Sequence, residues 1–197
     1  MRASTRREFV AGPAGRIECA VDLSQGTPRG VALVAHPHPL YGGTLDNKVV
    51  QTLARAFVEL GYETWRPNFR GVGETQGTHD EGRGELEDLH RVLEHTGATK
   101  FVLAGFSFGA AVQGLLAQRV KPERMVLVGV AVTRLEVPSV PTDTIVIHGE
   151  IDETVPLGAV LEWARPQELP VVVVPGADHF FHRKLHVLRA IVTSNWK

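Results

Sequence analysis

A chain of 197 residues with 43% hydrophobic and 22% charged residues is long enough to bury a core, and it reads as one globular domain over residues 1–197. Its 21 Lys and Arg against 22 Asp and Glu give a net charge of −1 without a basic block, which argues against nucleic acid as the main partner. A single cysteine, Cys19, excludes an internal disulfide and a Cys-rich zinc cage, no apolar run is long enough to cross a bilayer, and Arg2, Arg6 and Arg7 are followed by no apolar signal stretch, so a cytoplasmic protein is expected.

Two short extended segments come first, around Arg7 to Val10 and Arg16 to Leu23, with Gly12-Pro13-Ala14-Gly15 as the turn of an antiparallel hairpin. Val31 to Ala35 is a continuous apolar run, the pattern of a strand buried on both faces. Val49, Val50, Leu53, Phe57 and Leu60 recur at helical spacing until Gly61. Thr64-Trp65 makes a short strand ending at Pro67, and Leu86, Leu89 and Leu93 mark a helix ending near Gly97. Phe101 to Ala104 is a buried strand, followed by a helix with Val112, Leu115 and Leu116 inward. Met125 to Val130 and Thr144 to His148 are strands. Leu157, Val160, Leu161 and Ala164 form one helical face, Val171 to Val174 is the last strand, and Leu185, Leu188, Ile191 and Val192 line a final helix.

Strands alternating with helices predict an α/β protein: a mostly parallel twisted sheet, helices on both faces, right-handed crossovers and an N-terminal antiparallel hairpin. Ligands of such sheets bind outside the carboxyl ends of the strands. Chemistry is therefore expected in the loops spanning His36–Thr44, Asn68–Gly77, Gly105–Gly109, Gly149–Pro156 and Pro175–His182.

Gly105-Phe106-Ser107-Phe108-Gly109 fits G-x-S-x-G between an apolar strand and a helix rich in small residues. The glycines allow a bend tight enough to lift the Ser107 hydroxyl clear of the sheet. Phe108 opens the helix and points its N–H into the same space. A serine needs a base, and the base needs an orienting acid; one of the known chain orders for such a set is Ser, then Asp or Glu, then His. Asp152 lies beyond a later strand. Glu150 and Glu153 are its rivals, and Asp143 stands at the wrong end. His179 follows the last strand. Its neighbour Asp178 is a weaker orienting acid, and His182 and His186 read as a helix face.

The loop His36-Pro-His-Pro-Leu-Tyr-Gly-Gly-Thr44 is where a second oxyanion donor belongs. Pro37 and Pro39 carry no N–H, which leaves His38, preferred, and Leu40. His36 reads as a structural tie between this loop and neighbouring backbone. Tyr41, Leu40, Phe106, Phe180 and Phe181 are candidates to line an apolar pocket, with core packing as the alternative for each and most of all for Phe106.

Taken in order, His36 to Thr44, Asn68-Phe-Arg-Gly-Val-Gly73, Gly105 to Gly109, His148-Gly-Glu-Ile-Asp152 and Ala177-Asp-His-Phe-Phe181 resemble the small bacterial α/β-hydrolases that lack a lid domain. The resemblance implies a serine hydrolase with Ser107, Asp152 and His179 as triad and an oxyanion hole at Phe108 and the His38 loop. Arg70 looks like the loop-anchoring arginine found after this strand in many such hydrolases. Arg183 departs from the pattern, which leads one to expect glycine there.

Only Ala131 to Thr142, with Pro138 and Pro141, separates the strands between which lids usually insert, so an open, shallow site is expected. That favours a small-molecule acyl substrate, a carboxylic ester first and a peptide or thioester as alternatives. Cofactor and metal are expected to be absent. A metal-dependent hydrolase using His36, His38, His179, His182 and His186 is a rival from another class, but no H-E-x-x-H occurs. A non-catalytic α/β binding scaffold is a second rival.

Overall fold

The computed structural model describes residues 4–196; Arg2 and the extreme ends of the 1–197 range lie outside them. Strands β1 (Thr5–Gly12) and β2 (Gly15–Asp22) form the expected hairpin, turning at Pro13-Ala14. Val10, Ile17, Cys19 and Val21 face the core and fix its register.

Six further strands complete one sheet: β3 (Val31–Ala35), β4 (Glu63–Pro67), β5 (Phe101–Phe106), β6 (Arg124–Val128), β7 (Ile145–Gly149) and β8 (Val171–Val174). The order is β1-β2-β4-β3-β5-β6-β7-β8; β1–β2 and β2–β4 pair antiparallel and every other pair is parallel. The helices are α1 (Lys48–Glu59), α2 (Arg83–Thr96), α3 (Phe108–Leu116), α4 (Leu157–Ala164) and α5 (Leu185–Ser194).

Alternate residues of one strand serve opposite faces, and this explains why the central strands are apolar throughout. Leu33, Leu103, Met125, Leu127 and Val146 pack towards residues of α2, α3 and α4. Val34, Val102, Ala104, Val126 and Ile147 pack towards α1 and α5. Helix α1 is held at its start by Asn47, whose side chain accepts the N–H groups of Val49 (2.9 Å) and Val50 (3.4 Å).

Three details differ from the sequence expectation. Strand β6 stops at Val128, two residues early. Leu115 is only partly buried. Helix α4 buries Val160 and Ala164, whereas Leu161 is 38% exposed. The reason is position: α4 packs at the margin of the sheet, near the half-exposed edge strand β8, and has a narrow strip to cover.

The segment joining β6 to β7 carries no helix. Val137 and Val140 plug it into the core, and the Trp163 indole donates to the Val137 carbonyl at 2.9 Å. No lid rises between these strands.

Candidate active site

Strand β5 ends at Phe106 and α3 begins at Phe108, so Ser107 alone makes the turn, at φ 56° and ψ −117°. A non-glycine residue held there stores about 1–3 kcal/mol of backbone strain. Close packing holds it. A Cβ on residue 109 would meet the His36 carbonyl oxygen at 2.4 Å, and one on residue 105 would meet the Ala110 nitrogen at 2.6 Å. The Ser107 N–H donates to Val128 O (2.8 Å), and the Ser107 carbonyl accepts from Ala111 (3.1 Å) and Ala131 (3.2 Å).

Asp152 and His179 come from the loops after β7 and β8. His179 Nδ1 donates to Asp152 Oδ2 at 2.6 Å, and His179 Nε2 lies 3.0 Å from Ser107 Oγ. The bond to Asp152 fixes the proton on Nδ1 and leaves the Nε2 lone pair to accept from the serine hydroxyl. Asp152 Oδ1 accepts from the N–H groups of Thr154 (2.9 Å) and Val155 (2.8 Å). The buried carboxylate thus accepts three hydrogen bonds, which fix its position.

The rival acids are occupied elsewhere. Glu150 accepts from the Gly176 N–H at 2.7 Å. Asp178 accepts from His182, from Nδ1 at 2.6 Å and from the backbone N–H at 3.0 Å. Glu153 is exposed. His186 is exposed on α5.

His148, fully buried beneath this loop, donates from Nε2 to the Val155 carbonyl at 2.9 Å and stands 3.5 Å from Asp152 Oδ2. Its Nδ1 has no partner among the described residues. Desolvation lowers its pKa and keeps the ring neutral, so it ties the aspartate's loop without competing for the aspartate's charge.

On the other side of Ser107, His36 is fully buried. Its Nδ1–H donates to the Pro37 carbonyl at 2.6 Å, and its Nε2 accepts the Phe69 N–H at 2.9 Å. Burial pushes its pKa down to about 4. The ring therefore ties the β3 and β4 loops together as a neutral group. The Leu40 N–H is already donated to His38 Nδ1 at 3.3 Å, whereas the His38 N–H has no acceptor among the described residues. The N–H of Phe108, at the start of α3, has no intrahelical acceptor. The rings of His38 and Phe108 pack 4.8 Å apart.

Leu40, Tyr41 and Phe180 stand exposed on the surface, at 68%, 71% and 44%. Phe180 lies 5.2 Å, ring to ring, from His179. Phe181 departs from the expected pocket lining: it is fully buried in the core cluster of α1 and α5. Its φ of +54° turns it away from the direction its neighbour takes. Phe106 is likewise core, its ring 4.8 Å from that of His179. Arg183 has φ +60°, the conformation for which glycine is expected.

Arg70 does anchor its loop. Its guanidinium meets Asp88 of α2 through two bonds of 2.8 Å. The α2 region also holds residues that no sequence motif marks. Glu85, fully buried in the first turn, accepts from His79 Nδ1 (2.9 Å), Asp80 N (3.0 Å) and Gly82 N (2.9 Å). His79 sits two positions beyond the Asn68–Gly77 window; a longer window would have included it. A separate groove lined by Asp22, Arg55, Glu59, Arg66 and Arg189 reaches none of Ser107, Asp152 and His179, and its Arg66 is paired with Asp22 at 2.8 Å.

A mostly parallel sheet with a strained serine between strand and helix defines the architecture of an α/β-hydrolase. The family model described as the alpha/beta hydrolase fold matches residues 40–143, and the chain belongs to that family. Among solved structures, it is similar to an alpha-beta serine hydrolase homologue from Coxiella burnetii, with 38% identity over 98% of this chain and 97% of that one and a TM-score of 0.90. It is also similar to a Xanthomonas campestris protein described as an α/β serine hydrolase without lid, with 35% identity, coverage of 99% and 94%, and a TM-score of 0.90. An uncharacterized Rickettsia prowazekii protein is 32% identical over 196 residues, covering 89% of this chain and 82% of the relative. The protein is thus a hydrolase of the α/β serine hydrolase type, built without a lid. No helix of the described residues is long and apolar enough to cross a membrane.

Proposed function

We propose that the protein is a carboxylesterase acting on small acyl esters through an acyl-enzyme on Ser107. The reading is carried by the continuous hydrogen-bonded line from Asp152 Oδ2 through His179 to Ser107 Oγ, at 2.6 and 3.0 Å. Ser107 Oγ attacks the ester carbonyl as His179 Nε2 takes the hydroxyl proton. Asp152 stabilises the imidazolium that forms. The developing oxyanion is held by the N–H groups of Phe108 and His38. As the C–O bond to the alcohol breaks, His179 returns the proton to the departing oxygen. Water then attacks the acyl-enzyme, gives its proton to His179, and the acid leaves as Ser107 Oγ is reprotonated.

The lack of a lid supports a small substrate in an open site, with Tyr41 and Phe180 as its apolar contacts. A cytoplasmic setting belongs to the same reading, supported by the near-neutral charge and a lone, buried cysteine. A p-nitrophenyl ester series of increasing acyl length, run beside thioester and aminoacyl anilide substrates, tests the assignment. Highest kcat/KM on short-chain esters is expected, with total loss in Ser107→Ala. Preference for the thioester or the anilide would overturn the ester assignment, and activity retained by Ser107→Ala would overturn the mechanism.

A further inference from the structure

We infer that His79, anchored by Glu85, is a positioning residue for the oxyanion hole. The inference rests on the serine hydrolase reading above. Three aromatic rings meet on the side of Ser107 away from His179. The ring of His38 lies 4.7 Å from that of His79 and 4.8 Å from that of Phe108, and His79 lies 5.4 Å from Phe108. The two outer members are the residues whose N–H groups form the proposed oxyanion hole. His79 is the third ring, in contact with both, and it comes from a different loop.

That loop is held firmly. Only 5% of the His79 side chain is exposed, and Glu85 is buried. The Glu85 carboxylate accepts the His79 Nδ1–H together with two backbone N–H groups of the same loop, so the imidazole has one orientation. Glu85 belongs to α2, which Arg70 and Asp88 clamp to the loop after β4. On the opposite edge, His79 Nε2 is buried, makes no hydrogen bond among the described residues, and lies 3.5 Å from Glu81 Oε1. A chain of contacts therefore runs from the body of α2 through Glu85 and His79 to His38 and Phe108. An oxyanion donor acts only where its N–H reaches the position of the transition-state oxygen, and a 1 Å error there is worth about 10²-fold in rate.

Neither nitrogen of His79 hydrogen-bonds to His38 or Phe108, and the contact is ring on ring. His79→Phe keeps the ring and loses the bond to Glu85; His79→Asn keeps a donor for Glu85 and loses the ring. The test compares these variants and His79→Ala for ester turnover, for inhibition by a trifluoromethyl ketone that adds to the serine and forms an oxyanion, and for thermal unfolding. His79→Ala and His79→Asn are expected to lower kcat by about tenfold or more, with KM within about twofold, and to weaken the ketone by the same factor as kcat/KM. His79→Phe is expected to stay within about threefold of the parent in both. Equal turnover in the folded Asn and Phe variants overturns the proposal, as does a loss of kcat without a matching loss of ketone affinity. If His79→Ala does not fold, the Asn and Phe pair decides; if none of the three folds, His79 is a folding residue and the proposal falls. Ser107→Ala, run in parallel, separates the two levels: turnover retained there removes the hydrolase reading itself, whatever His79 does.

Discussion

Two carboxylate–imidazole pairs lie on opposite sides of Ser107. Asp152–His179 and Glu85–His79 share the same local chemistry: a buried carboxylate that also accepts two backbone N–H groups, and an imidazole held through Nδ1. They differ at Nε2. In His179 it meets a hydroxyl at 3.0 Å, whereas in His79 it makes no hydrogen bond among the described residues and faces the Glu81 carboxylate at 3.5 Å. A carboxylate orients an imidazole equally well in either case. What the free nitrogen faces decides whether the ring can move a proton or only hold its neighbours in place.

Asparagine or glutamine in place of each carboxylate gives the sharpest contrast. Asp152→Asn should lower kcat by about 10³–10⁴-fold, because the amide no longer holds His179 in the working tautomer. Glu85→Gln should leave kcat within about threefold, because the His79 ring still packs on His38 and Phe108 and the amide oxygen can still accept its Nδ1–H. It should also lose about 1–3 kcal/mol of stability, since an amide NH₂ must face a backbone N–H that now has no acceptor. Steady-state kinetics beside urea unfolding would check both; a loss of 10³-fold or more in Glu85→Gln would erase the distinction between the two pairs.

Arg70→Ala comes next. It leaves Asp88, whose side chain is 4% exposed, buried without its partner, so about 3 kcal/mol of stability should go. Burial already raises the Asp88 pKa, which allows part of that loss to be relieved by protonation at low pH. The deficit against the parent should therefore shrink as the pH of the unfolding experiment is lowered.

His36 supplies a pH signature on the His38 side of Ser107. Its pKa is about 4 when folded and about 6.5 when unfolded, so the unfolded chain binds more protons between these values. The stabilisation is complete above about pH 6.5 and is lost as pH falls towards 4, by about 3 kcal/mol. His36→Asn should be less stable at pH 7, and its stability should fall less steeply across that window. Equal slopes for the two proteins would show that His36 is protonated in the fold. The smallest effect belongs to Leu161→Ala on α4, expected to change stability by less than about 0.5 kcal/mol, in line with its exposure.

The same contrast explains what can be read from the chain alone. The central strands are legible because burial on both faces demands unbroken apolar runs, as at Val31 to Ala35. Ser107, Asp152 and His179 stand out because each follows such a run, where the parallel sheet opens to solvent, and they meet within hydrogen-bonding distance. The side of Ser107 that holds His38 and His79 offers no such rule. Glu85 looks like an ordinary charge in the first turn of a helix, and His79 belongs to a loop whose path depends on that helix. Phe181 misleads because a positive φ in a tight turn reverses its direction, and Leu161 because helical spacing does not say how wide a strip the sheet edge will cover.

Reaction with a fluorophosphonate, followed by mass mapping of the adduct, tests the role of Ser107 most directly. A single adduct on Ser107 is expected, absent in Ser107→Ala and greatly slowed in His179→Ala. An adduct on another residue, or ester hydrolysis that continues after Ser107 is fully blocked, would contradict it.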